Sequence, residues 1–155
     1  MENIISITEL LNDLIKINND RIVGYEKAIE NTKGLDIDLK AVYQDMANQS
    51  KKIVNDLGNE VIRHGATVET NTTLAGKVYR VWMDVKATFS GHDRVSSLDA
   101  CEFGEDTAQK AYKMALESDA EMTADIRKMI MDQQSSLKNS HEIIKKYGEI
   151  NMAIH

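Results

Sequence analysis

The 155-residue chain predicts an all-α fold, a four-helix bundle with a long crossover carrying a short fifth helix. Three observations lead there. Proline is absent and glycine occurs only eight times, so long stretches lack the residues that break helices. Apolar residues recur at spacings of three and four in five separate segments, the stripe a helix buries against neighbours. The segments are joined by short polar breaks, with one long exception. At this length a single domain spanning 1–155 can bury a sizeable core.

The first helix is predicted over 6–32. Ser6 and Glu9 have capping-box spacing, in which hydroxyl and carboxylate satisfy free amides at a helix start. Its stripe is Leu11, Leu14, Asn18, Arg21, Tyr25 and Ala28, so Asn18 and Arg21 are polar interruptions of a buried face. Gly34 stops it and Asp36 or Asp38 caps a second helix over 38–64, with Leu39, Tyr43, Met46, Ile53, Leu57 and Val61 on one side.

Residues 66–73 are polar, rich in threonine and without periodicity, which predicts an irregular linker. A short helix over 73–89 follows, and its stripe of Val78, Trp82, Val85 and Phe89 predicts that Trp82 is buried against the bundle. A third long helix is predicted over 93–117, with Leu98, Cys101, Glu105, Ala108, Tyr112 and Ala115 in one seam. Ser118 and Glu121 have capping-box spacing for a last helix over 119–147, whose stripe includes Ile126, Ile130, Gln133, Leu137, His141 and Ile144. A second helix of this length spans about 39 Å, and the link after it is long enough to return the same distance. The second and third long helices are therefore expected to run parallel, as in bundles with a single crossover.

The two hairpins also resemble each other. At an offset of 87 residues, the segment Tyr25 to Asn31 aligns with Tyr112 to Ser118, Leu39 with Ile126, Lys40 with Arg127 and Asp45 with Asp132. The caps and turns fall on each other as well, which predicts a duplicated helical hairpin.

A net charge of −6 with both signs interleaved gives no electrostatic footprint for nucleic acid or an anionic membrane. The lone cysteine excludes an internal disulfide framework. Met1 to Ile7 lacks the basic start of a signal peptide, and no apolar run reaches the ~18 residues of a membrane span. A cytoplasmic location is expected. Apolar Ile4, Ile5 and Ile7 at the first helix suggest a homodimer.

Several stretches carry a family resemblance: LNDLIKINND from Leu11, GYE from Gly24, LAGKVYRVWMDVK from Leu74 and CEFGED from Cys101. From about Leu10 to Tyr147 the chain resembles a family of small bacterial ferritin-like four-helix proteins with no established activity. The wider superfamily includes ferritins and rubrerythrins, whose carboxylate-bridged di-iron site oxidises iron or reduces peroxide. Such a site takes a Glu from each of two helices and a Glu-x-x-His from each of the other two. Here the resemblance implies a degenerate site. Glu105 stands at one ligand position while its counterpart at the 87-residue offset is Asn18, and His141 is preceded by Lys138 where the pattern has Glu. The counterpart of His141 is Val54.

An ionised carboxylate inside an apolar stripe needs a cation, hydrogen-bond donors or a metal. Glu105 is therefore either a buried acid held by Asn18, Tyr25, Tyr112 or Arg21, or a metal ligand with His141, Glu102 and Glu26 around it. Glu102 and Glu26 lie beside their seams, where solvated flank residues are the commoner case. One turn of helix separates the levels of Glu105 and His141, so the two are expected to share a polar region. Met114, Met122, Met129 and Met131 are read as core or flank filling and not as metal ligands, and Cys101 as a small buried hydrophobe.

Two functions follow from these alternatives. The first is a non-catalytic structural or partner-binding module, with no cofactor and no enzyme activity. The second is a metal-dependent redox or iron-handling stress-response protein, using iron or another divalent metal.

Overall fold

The structure, a computed structural model, describes residues 6–32, 37–68 and 94–154. These form four helices: α1, Ile7–Asn31; α2, Ile37–Arg63; α3, Arg94–Glu117; and α4, Ala124–Ile154. No strand occurs among the described residues. The expected fifth helix with Trp82, and Ile4 and Ile5, lie outside them.

The helix ends follow local chemistry. Ser6 caps α1 by accepting a hydrogen bond from the Glu9 amide at 3.1 Å. α2 closes where the Ala66 amide reaches back to the Val61 carbonyl and the Gly65 amide to that of Ile62, a Schellman turn. That turn places Gly65 at a φ of 75°, which a side chain would strain.

The start of α4 departs from the sequence expectation. Ser118 does not open the helix; its hydroxyl donates to the Ala115 carbonyl at 2.7 Å and closes α3. Thr123 is the cap, with its Oγ1 accepting from the Ile126 amide at 3.2 Å. The helix therefore begins at Ala124 instead of 119 and continues to Ile154. The Ser118 oxygen also accepts from the Ala120 amide at 3.4 Å, a contact within the turn that starts no helix.

Cross-helix contacts set the arrangement. α1 and α2 are antiparallel, since Asn12 reaches the Thr67 carbonyl at one end while the rings of Tyr25 and Tyr43 lie 5.6 Å apart near the other. α3 and α4 are antiparallel as well, pairing Tyr112 with Gln133 and Asp106 with His141. Asn18 meets Tyr112 and Arg21 meets Glu105, so α1 also runs against α3. It follows that α2 and α3 run in the same direction, as the long link predicts. Gln49 bonds to Ser136 and Ser140, which places α2 beside α4 and leaves the helices in the order α1, α2, α4, α3 around the bundle.

The predicted stripes are the core. Leu11, Leu14, Leu39, Leu57, Leu98, Ile130, Leu137 and Ile144 are all buried. Each such side chain stabilises the fold by about 1.5–3 kcal/mol relative to exposure. No described helix is long and apolar enough to cross a membrane.

Candidate functional site

Three stripe positions that carry polar residues converge at mid-bundle. Asn18 and Arg21 are three residues apart and so share the inward face of α1. Glu105 occupies the facing position on α3, and Ser50 looks in from α2. All four are buried, with Arg21 and Glu105 each only 1 % exposed.

Arg21 organises the centre. Its Nε donates to Glu105 Oε1 and its Nη2 to Oε2 at 3.2 Å, so the guanidinium engages both carboxylate oxygens. Nη1 donates to the Met46 carbonyl at 3.0 Å and to Ser50 Oγ at 2.7 Å, and Nη2 lies 3.6 Å from Met46 Sδ. Those contacts account for all five guanidinium N–H groups. The Tyr25 ring packs 5.1 Å from the guanidinium carbon, adding a cation–π contact.

The network continues outward in one direction. Arg21 can only donate, so Ser50 turns its proton to Asn18 Oδ1 at 2.9 Å. The Asn18 amide then donates to the Leu14 carbonyl and to Tyr112 Oη, at 2.8 and 3.0 Å, and Tyr112 passes its proton to Gln133 Oε1 at 2.8 Å. Four helices are thus joined by one polarised chain of donors.

Burial and charge set the protonation of these groups. Burial acts to lower the pKa of Arg21, but the Glu105 carboxylate, with Tyr25 and Tyr112, more than reverses this and the net shift is upward. Burial raises the Tyr25 phenol well above its usual range, and the Glu105 charge adds to the effect. The Tyr112 phenol and the Cys101 thiol are likewise pushed up, chiefly by burial. Cys101 is buried and its raised pKa keeps it a neutral thiol, in line with its reading as a small hydrophobe.

The other predicted site residues lie apart from this centre. His141 does not share a polar region with Glu105; its Nε2 pairs with Asp106 Oδ1 and its Nδ1 lies 3.5 Å from Glu142. The reason is angular: the buried stripe of α4 passes through Leu137 and Ile144, and His141 sits on its edge, half-buried toward α3. Asp106, one residue beyond Glu105, points to that same edge. Glu102 is half-buried and Glu26 exposed. Among the described residues, no group of three or more His, Cys, Asp or Glu side chains gathers as metal ligands would. Met114 and Met131 are 71 % and 50 % exposed, so they are surface residues, whereas Met122 and Met129 do pack against the core.

Ser50 was not singled out by its sequence context, although it lies on the α2 stripe between Met46 and Ile53, where the cue that marks Asn18 also applies. Gln49, which holds α2 to α4, carries no such cue because it lies on the helix flank.

Four helices paired antiparallel around a buried ion pair define an all-α bundle with a polar centre. The family described as a domain of unknown function (DUF2383) matches residues 6–119, and the chain belongs to that family. The match takes in α1, α2 and α3 and ends in the turn before α4. No curated protein and no solved structure matches the chain.

Proposed function

We propose that this protein is a ferritin-like helical module that works without catalysis, as a structural or partner-binding element, and that a guanidinium holds the place where relatives in the wider superfamily hold metal. One observation carries the reading: both oxygens of Glu105 accept hydrogen bonds from Arg21. A carboxylate so engaged already has its counter-charge, and a dication beside it would face the Arg21 charge across a few ångströms in a buried medium. The surrounding groups are also poor ligands for a di-iron pair. Asn18 Oδ1 already accepts the Ser50 proton, the Tyr112 hydroxyl is taken up between Asn18 and Gln133, Ser50 is a neutral hydroxyl and Met46 a thioether, whereas hard divalent ions favour anionic oxygen.

The parallel course of α2 and α3 supports the ferritin-like part of this proposal, since that topology needs one long crossover. Partner binding, including a homodimer, is consistent with apolar side chains on the outer face of α3, where Phe103 is 56 % exposed and Met114 71 %. Light scattering at increasing protein concentration measures self-association directly.

The test is metal analysis of protein purified without an affinity tag, followed by calorimetric titration with Fe(II) and Mn(II). No stoichiometric metal and no binding heat are expected. Two irons per chain with an oxo-bridge absorption band, lost in Glu105→Gln, would overturn the proposal in favour of an iron-handling protein.

A further inference from the structure

We infer that the outer groove between α1 and α3 is the docking site of residues 69–93, the link that joins the two hairpins. The observation behind this is burial on a side of the bundle where the four helices give no cover. Going round α1 from Arg21, one side carries Asn18 and Tyr25, which face α2 through Ser50 and Tyr43. Asp20 lies about 100° round the other way, past the seam with α3 and beyond the reach of any described helix, yet it is 0 % exposed.

α3 repeats the pattern. Its Asp106 and Gln109 turn toward α4, to His141 and the Gln134 carbonyl. Ala100 and Gly104 lie on the opposite side and are buried all the same, Ala100 to 4 %. The contact of Arg21 with Glu105 sets the level of one helix against the other. Counted from that pair, Asp20, Gly24, Ala100 and Gly104 fall within about two turns of one another and form one covered floor.

Chain geometry selects the link as the cover. It leaves α2 over α1, because Asn12 on the outer face of α1 donates to the Thr67 carbonyl at 3.0 Å. It must arrive at Arg94, where α3 begins, which by the same count stands level with Thr32. The rise of α1 from Asn12 to Thr32 is about 30 Å, and a helix over 73–89 supplies about 25 Å of it with extended residues for the rest. The other route, across α2 and α4, would cover a groove where Lys52 and Lys128 stand exposed.

The sequence of the link suits this floor. Its stripe of Val78, Trp82, Val85 and Phe89 is bulky where the groove is glycine and alanine, so large side chains have room between the two helices. Lys77, Arg80 and Lys86 against Asp84 make residues 74–89 basic within a chain of net charge −6. A floor that includes a buried aspartate calls for a cover of that sign.

The docking does not depend on whether metal binds at mid-bundle. Trp82 is the one tryptophan of the chain, so its fluorescence reports on the link alone. In a Cys101→Ala background, a nitroxide is attached at Lys27→Cys or Thr107→Cys, beside the groove on α1 and α3, or at Lys128→Cys on the far side of the bundle. Emission should be blue-shifted relative to the urea-unfolded chain, largely quenched from positions 27 and 107, and nearly unchanged from 128. Ala100→Gln, which fills the floor, should shift the emission to the red while helical circular dichroism is kept. Equal quenching from all three labels, stronger quenching from 128, or an emission no different from that of the unfolded chain would each overturn the inference. A blue shift lost on dilution would do so as well, since it would seat the link on a second copy of the chain.

Discussion

Gln49 and Ser136, 87 residues apart in sequence, touch each other: the Gln49 amide Nε2 donates to the Ser136 carbonyl at 3.2 Å and also to its hydroxyl. The same offset separates the start of α1 at Ile7 from that of α3 at Arg94, and the start of α2 at Ile37 from that of α4 at Ala124. Two equivalent residues can meet only near the axis that relates their hairpins, so a pseudo-twofold axis passes between α2 and α4 at this contact. The centre breaks that symmetry. Arg21 has Ala108 as its counterpart, Ser50 has Leu137 and Glu105 has Asn18. A single arginine from the first hairpin is thus matched by a single acid from the second, and neither half could hold its charge without the other.

From this cross-hairpin pairing, Arg21→Met is expected to destabilise the protein by about 3–5 kcal/mol, because it leaves the Glu105 carboxylate buried without its cation. The double variant Arg21→Met, Glu105→Gln removes both charges and should recover most of that loss. Urea unfolding of the three proteins at pH 7 measures it. A single variant within about 1 kcal/mol of the parent would show that Glu105 does not rely on Arg21.

The turn between α3 and α4 offers a test of the revised cap. Thr123→Ala should cost about 1 kcal/mol, since the Ile126 amide loses its acceptor. Glu121→Ala should be close to neutral, as Glu121 is exposed and lies outside the helix. The opposite ranking in thermal melts would restore the capping box that begins at Ser118.

The stripes made most of this architecture legible in the sequence. Helical periodicity places Leu98, Cys101, Glu105, Ala108, Tyr112 and Ala115 on one face, and all six are buried. It also marks Asn18 and Arg21 as polar residues without a solvent outlet. What periodicity lacks is azimuth finer than about a quarter turn. His141 shares the stripe by spacing, yet a small rotation at its edge gives it to Asp106 instead of Glu105. Which of two hydroxyls caps a helix is equally hidden, because Ser118 and Thr123 have the same local chemistry and the choice depends on where α3 ends.

The edge position of His141 makes its pair a minor contributor. Asp106 is 52 % exposed, so solvent screens the interaction, and Asp106→Asn should change stability by less than about 1 kcal/mol. The contrast with the buried pair is the informative part. If Asp106→Asn matched Arg21→Met in cost, the assignment of Arg21 and Glu105 as the central ion pair would be wrong.

Alkaline pH should unfold this protein earlier than its charge alone suggests. Burial raises the pKa of the Cys101 thiol and of the Tyr25 and Tyr112 phenols in the folded chain, while the unfolded chain keeps ordinary values of about 8.5 and 10. The folded state therefore holds protons that the unfolded state releases. Stability from these groups is fully present below about pH 8.5 and falls as pH rises beyond it, by ~1.4 kcal/mol per unit for the thiol and up to about three times that once the phenols join above pH 10. Urea midpoints from pH 7 to 10.5 should trace a decline with two slopes, and Cys101→Ala should abolish the first of them whatever its effect on the midpoint at pH 7. Absorbance at 295 nm gives an independent reading, since Tyr25 and Tyr112 should ionise only together with loss of helical circular dichroism. Ionisation of every tyrosine while the helices stay intact would mean that water reaches the bundle centre and that its donor chain is not sealed.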